Sequence, residues 1–207
     1  SIGVSAAWWL DTVRDAEAIS VLDDGSFFVA FEQNPRVEWY ESPDTVAKLR
    51  SDGLDLSNQP HNRSFEALAQ GPDGAVYVLP EVPPAWGGPY PVQVLRDGRW
   101  TMPFSIPSGE TWMAVGADFG PDGRLYLLER DYWGLIGFKT RVRRITLNGD
   151  TVATDETLFE TRAGDYGDFE GIAVWEAGAG DIRLTLVSDS NFLPGVGTEI
   201  LDMRLAE

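Results

Sequence analysis

The sequence has no cysteine and a single histidine, His61. Without thiols there is no disulfide, no thiolate nucleophile and no cysteine-based zinc site. With one imidazole, a histidine-rich metal site is excluded too, and a histidine-based triad has one candidate centre. Ser5, Ser64 and Ser188 lack the flanking Gly-x-Ser-x-Gly elbow of serine esterases. No glycine-rich phosphate loop or dinucleotide fingerprint appears. Positive charge is also scarce: 16 Lys and Arg stand against 33 Asp and Glu, a net charge of −17. A surface of that sign repels a phosphate backbone, which argues against nucleic acid as a partner. The same surface suits cations. No apolar run reaches the roughly 18 residues of a membrane span. No signal-peptide pattern is visible, and a chain that opens on Ser1-Ile2-Gly3 reads as processed or trimmed.

What is present is apolar content, 43% hydrophobic and 12% aromatic, which is enough for a core. There are 22 Gly and 13 Pro in short turn-like clusters, and many short strands between such turns indicate an all-β protein. Asp168-Phe169-Glu170-Gly171-Ile172-Ala173-Val174-Trp175, a gap, then Leu184–Asn191 reads as two strands joined by a loop, with an acid at each open end (Glu170 and Asp189). Similar units recur upstream. Glu17–Leu22, an Asp24-Gly25 turn and Phe27–Glu32 form one; Phe65–Ala69, Asp73-Gly74 and Val76–Glu81 another; Met113–Phe119, Asp122-Gly123 and Leu125–Glu129 a third. The turn aspartates at 24, 73 and 122 are two equal steps of 49 residues apart. Antiparallel units repeating at ~40–50 residues mark propeller blades. Alternation with period two excludes a helical solenoid.

The expected fold is therefore a β-propeller of four-stranded antiparallel blades. About four blades fall at roughly 15–60, 61–110, 111–160 and 161–207, within one domain over 1–207 that lacks N-terminal blades of a larger ring. Ala6–Leu10 reads as the last strand of an incomplete unit, or as a strand that closes the ring.

The first strand of each blade lines the channel of a propeller. Glu17, Glu66 and Glu170 each stand just before that strand, so pseudo-symmetry makes them converge at one mouth. Val115 holds the place in the third unit, and Asp118 is the candidate to replace it. A second set, Glu32, Glu81, Glu129 and Asp189, follows the second strand. A hairpin brings its open ends together, so Glu17 pairs with Glu32, Glu66 with Glu81, and Glu170 with Asp189. Converging carboxylates need a cation, a proton or an arginine between them. Calcium, with its six to eight oxygen ligands, is the natural metal, and all seven acids are candidate ligands. Glu17, Glu66 and Glu170 are also the candidates for acid–base chemistry. The structural alternative is equally open: an acid at the start of an inner strand can accept backbone N–H bonds from the next blade. Arg14, Arg36, His61, Arg63 and Arg130 lie beside these acids. Of these, Arg36, Arg130 and His61 are candidates to bind a small anionic substrate. Ion pairing within loops would account for them as well.

Asp168–Val174, followed by Leu186-Val187-Ser188-Asp189-Ser190-Asn191-Phe192, resembles the closing segment of the phytase-like family, the "esterase-like activity of phytase" proteins. Ala16–Ile19, Val29–Glu32, Leu127–Arg130 and Gly137–Ile145 resemble it in the same order, over nearly the whole chain. Members are typically longer at the N-terminus. The resemblance implies a bacterial β-propeller exported to the periplasm or beyond, with repeated Glu and Asp serving phosphoester chemistry. Two departures stand out: Pro35 where members often carry His, and Val115 in place of a leading Glu. The leading expectation is a calcium-dependent phosphoester hydrolase. The competing ones are a non-catalytic ligand- or protein-binding propeller with structural carboxylates, and a lactonase-like propeller hydrolase.

Overall fold

The computed structural model describes residues 15–22, 24–32, 34–50, 52–57, 65–191 and 197–205. The described residues form four antiparallel sheets, each a meander of consecutive strands. The first holds β1 (Ala16–Val21), β2 (Phe27–Phe31), β3 (Arg36–Tyr40) and the short β4 (Lys48–Leu49). The second holds β5 (Phe65–Gln70), β6 (Val76–Pro80), β7 (Pro89–Arg96) and β8 (Arg99–Pro107). The third holds β9 (Met113–Phe119), β10 (Leu125–Tyr132), β11 (Phe138–Leu147) and β12 (Val152–Glu160). The fourth holds β13 (Asp168–Glu176), β14 (Ile182–Asp189) and β15 (Ile200–Arg204). Thus the first three sheets have four strands and the fourth shows three among the described residues. The segment Ala6–Leu10, expected as a strand, lies outside the described residues.

The hairpins form where the sequence places them. Gly25, Gly74 and Gly123 follow the turn aspartates and have φ of 84°, 79° and 71°. Glycine adopts that left-handed conformation without steric cost.

The sheets pack face to face, so β2, β6 and the first half of β10 are buried on both sides and read as unbroken apolar runs. In β6, Val76 and Val78 join Phe28, Ala30, Val37, Phe65 and Leu68 between the first two sheets. Their neighbours Tyr77 and Leu79 turn the other way, to Ala114, Leu125, Leu127 and Ile145. Val115, Tyr126 and Leu128 then pack on Phe169, Val174, Leu184 and Leu186 of the fourth sheet. Period-two alternation thus feeds two interfaces from β6 and from β10.

Polar bonds also join the units. The Gln70 amide donates to Ser20 Oγ (3.1 Å), and the Ala114 amide to the Glu81 carbonyl (2.8 Å). Asp118 belongs here. It lies opposite Tyr126, toward the Asp-Gly turn, and its Oδ2 accepts the Val174 N–H at 2.7 Å. It ties β9 to β13 rather than replacing the missing acid of the third unit. Asp118→Ala should leave a partly buried N–H unpaired and cost about 1–3 kcal/mol in urea unfolding, with cation binding unchanged.

Candidate functional site

Each inner strand carries a one-residue irregularity at the same place. The register shifts between Ala16 and Ala18, between Phe65 and Ala67, and between Phe169 and Gly171. Between β9 and β10 the partners step from Ala114 to Gly116. The residues skipped are Glu17, Glu66, Glu170 and Val115. A bulge leaves one residue unpaired and re-aims its side chain. Four equivalent bulges therefore turn four equivalent side chains out of the ladders, three of them carboxylates.

The same register fixes the second set. Ala16 faces Phe31, Phe65 faces Pro80, Ala114 faces Glu129 and Phe169 faces Ser188. The next residues along the second strands are Glu32, Glu81, Arg130 and Asp189. Arg130, not Glu129, is the third unit's counterpart of Glu32 and Glu81, and it stands at the same step of 49 residues.

Glu129 faces elsewhere. It is fully buried, and its carboxylate accepts from Arg141 Nε and Arg143 Nε at 2.8 Å each. A one-residue step along a strand reverses the side chain, so Glu129 does not join the other acids.

Arg130 gathers carboxylates from both neighbouring units. Its Nη1 donates to Asp168 Oδ2 (2.9 Å) and to Glu170 Oε1. Its Nη2 donates to Glu81 Oε1 (3.0 Å) and lies 4.0 Å from Glu66 Oε2. Burial pulls the guanidinium's pKa down, but Asp168, Glu66, Glu170 and Glu81 outweigh it and hold the pKa above its ordinary value. Arg130 Nε and Asp168 Oδ1 are buried without a hydrogen-bond partner among the described residues.

The first unit makes a separate group. Asp15, Glu17 and Glu32 each offer an oxygen, all within 4.8 Å of one another. The Glu32 amide donates to the Asp15 carbonyl at 3.0 Å, which holds the two segments together. Glu32 also feels Glu81 and Arg130, and Glu17 feels Glu170, so both groups share one mouth.

Acid outweighs base in this mouth, and protons make up part of the difference. Burial, then Asp15 and Glu32, raise Glu17 from 4.5 to about 7. Burial, then Glu81, raise Glu66 to about 9, against the pull of Arg130. Burial raises Glu170 to about 7, opposed by Arg130 and aided by Asp168. Glu32 is raised as well, by burial and by Asp15. Raised carboxyl pKa values that cluster in one cleft are a mark of functional sites. Glu66 is therefore the carboxyl held most strongly in its protonated form, ahead of Glu17 and Glu170.

Of the other expected site residues, Asp189 is exposed at the rim and accepts the Asn191 amide at 3.0 Å. Arg36 stacks on Phe31, 3.9 Å from the ring centroid, and donates to Glu38 Oε1 at 2.8 Å. His61, Arg14 and Arg63 lie outside the described residues. Sequence reasoning passed over Asp15 and Asp168. Their trace was the repeated Asp-x-Glu of Asp15-Ala16-Glu17 and Asp168-Phe169-Glu170.

A family model described as "Phytase-like: Esterase-like activity of phytase" matches residues 6–192. The chain belongs to the phytase-like family. Among solved structures, an endo-arabinase from Bacteroides thetaiotaomicron superposes with a TM-score of 0.58 at 13% identity, over 92% of this chain and 75% of that one. A candidate gluconolactonase gives 0.56 at 17%, over 90% and 59%. The PQQ-bound aldose sugar dehydrogenase of Streptomyces coelicolor gives 0.53 at 14%, over 92% and 61%. The phytase-like chain spans about three fifths of the length of the last two. At such identities the likeness is one of fold, and that fold is the β-propeller. A search of curated sequences finds no match. Among the described residues, no helix is long and apolar enough to cross a membrane.

Proposed function

We propose that this phytase-like propeller is an exported, metal-assisted hydrolase of small anionic phosphoesters. The observation that carries this reading is the group formed by Asp15, Glu17 and Glu32, three oxygen donors within 4.8 Å of one another. An all-carboxylate donor set fits a hard divalent cation, and calcium is the candidate. Asp15, Glu17 and Glu32 would hold it, and there it would supply a Lewis acid for a phosphoryl oxygen and an acidified water. The chain's own contribution is proton handling. Glu170, with a pKa raised to about 7, can hold or release a proton at the mouth at neutral pH. Glu66, raised to about 9, stays neutral and spares the mouth a further negative charge. The excess of acid repels a free anion, so an anionic phosphoester would enter with or after the cation.

Arg130 favours a second reading, a non-catalytic binding propeller. Its bonds to Glu81, Asp168 and Glu170 hold three units together, as a purely structural cluster would.

One experiment separates the two. Calcium at 100 times its dissociation constant should stabilise the wild type by about 2.7 kcal/mol and switch on hydrolysis of p-nitrophenyl phosphate. Glu17→Gln with Glu32→Gln should lose both effects. Calcium stabilisation without turnover would favour the binding reading, and hydrolysis of a lactone but no phosphoester would favour a lactonase. Neither turnover nor stabilisation would overturn the hydrolase proposal.

A further inference from the structure

We propose that Arg130 is the mouth's built-in cation. It takes the place that a second metal ion would otherwise fill, and so limits the mouth to one metal. The inference rests on the reading of Asp15, Glu17 and Glu32 as the metal group, but it stands on different residues.

The register is the first support. In the other three units the position that follows the second strand's bulge partner is an acid, Glu32, Glu81 or Asp189; in the third it is Arg130. The third unit also exchanges its leading glutamate for Val115, which is almost fully buried. The pair of changes removes two negative charges and adds one positive charge at a single corner of the mouth. Val115 packs into the apolar core with Tyr126, Leu128 and Phe169, so the third unit has no leading carboxylate to compete for the arginine.

Charge is the second support. Arg130 reaches the paired acids of the unit before it (Glu66 and Glu81) and of the unit after it (Asp168 and Glu170). Arg130 also acts on Glu32, where it opposes the rise that burial and Asp15 cause. The side of the mouth formed by Glu66, Glu81, Asp168 and Glu170 thus carries a positive charge of the protein's own.

The third support is what the arginine leaves undone. Asp168 is 4% exposed, yet among the described residues its Oδ1 has no hydrogen-bond partner, and neither has Arg130 Nε. A guanidinium donates only along its fixed fork. It cannot satisfy the second oxygen of Asp168 while its Nη atoms serve Glu81 and Glu170. A spherical metal ion accepts oxygens from any direction, so Asp168 Oδ1 is a ligand that such an ion could use and the arginine does not. With both Nη atoms turned onto protein carboxylates, Arg130 acts on a substrate through these acids. It is a positioning residue, not a phosphate ligand.

The test counts calcium by equilibrium dialysis at pH 8 in the wild type, Arg130→Gln and Arg130→Lys. Arg130→Gln should bind one calcium ion more than the wild type, and Arg130→Lys, which keeps the charge, should bind the wild-type number. A merely structural arginine would change the melting temperature without changing the count. An equal count in Arg130→Gln and the wild type overturns the proposal, as does an extra ion in Arg130→Lys. Should Arg130→Gln fail to fold in chelator, it should refold on adding calcium, with the native circular dichroism restored; failure to refold at any calcium concentration counts against the proposal. A wild type that binds no calcium, beside an Arg130→Gln that binds one, would remove the metal reading of Asp15, Glu17 and Glu32 and leave the role of Arg130 standing.

Discussion

Glu129→Ala should be among the most damaging single substitutions in this chain, costing about 3–5 kcal/mol of stability. The side chain is 0% exposed, and its two oxygens accept four N–H bonds. Arg141 Nε and Arg143 Nε reach Oε2 at 2.8 Å each; Arg141 Nη2 and Arg143 Nη2 reach Oε1 at 2.9 and 3.1 Å. The arginines also donate to the Ser108 carbonyl (2.6 Å), the Pro107 carbonyl (2.8 Å) and Asp155 Oδ2 (2.7 Å). The carboxylate therefore neutralises two guanidinium groups that fasten β10 and β11 to the end of β8. Removing it takes from Arg141 its carboxylate partner and leaves Arg143 with Asp155 alone, at a buried place. Glu129→Gln keeps the shape and part of the bonding and should cost less. Glu160→Ala breaks a solvent-exposed pair with Lys139 (2.9 Å) and should cost about 1 kcal/mol or less. At ~2–4 °C of melting temperature per kcal/mol for a chain of this size, Glu129→Ala should melt roughly 10 °C early. Calcium binding in Glu129→Gln should match the wild type, because Glu129 points away from the mouth. A loss of calcium binding there would mean that the two acid clusters are one.

Glu129 also shows where sequence reading reached its limit. The strand and Asp-Gly turn units could be read directly, since turn chemistry and period-two apolar runs are local properties. The step of 49 residues set the blade period and was enough to place Glu17 with Glu66. Carried one step further it leads from Glu81 to Arg130. Glu129 attracted the assignment because an acid was expected there, and a one-residue offset is invisible in composition but reverses a strand residue's direction. The bulges that re-aim Glu17, Glu66 and Glu170 leave no reliable trace in sequence. They are set by how two strands fit together, and Val115 shows that the bulge does not require an acid. Asp15 and Asp168 were hidden for a related reason. Each lies two residues before a leading glutamate and reads as an ordinary strand-end acid until the hairpin brings its partner across. What a charged residue meets is decided by the neighbouring blade, ~50 residues away, and so by tertiary packing rather than by local pattern.

The second large effect should be a fall in metal-free stability as pH rises from about 4.5 to about 9. Glu66 has a folded-state pKa of about 9, against 4.5 for an ordinary glutamate, with burial as the main cause and Glu81 next. Between those values the folded chain holds a proton that the unfolded chain has lost. The stability that proton represents is fully present below pH 4.5, drains as pH rises, and is gone once pH passes the folded pKa. Glu17 and Glu170, each raised to about 7, act in the same direction but are spent sooner. They are also more solvated, so solvent screening reduces their share, and buried Glu66 should dominate. While a carboxyl is protonated only in the folded state, the slope is about 1.4 kcal/mol per pH unit. Urea unfolding in chelator at pH 5, 7 and 9 measures it. Other acids of this strongly negative chain add their own mutual repulsion, so the decisive comparison is Glu66→Gln, which cannot ionise. It should match the wild type at pH 5, fall less steeply, and be the more stable of the two at pH 9. Calcium should act against the same slope, because a cation on Asp15, Glu17 and Glu32 displaces protons and relieves the repulsion that, with burial, raises Glu17 and Glu32. Its stabilising effect should therefore grow with pH, with proton release on binding measurable by calorimetry in buffers of different ionisation enthalpy. A wild type whose metal-free stability rises from pH 5 to pH 9, or a Glu66→Gln that follows the wild-type slope, would show that the Glu66 carboxyl is ionised at neutral pH and that Arg130 alone balances its side of the mouth.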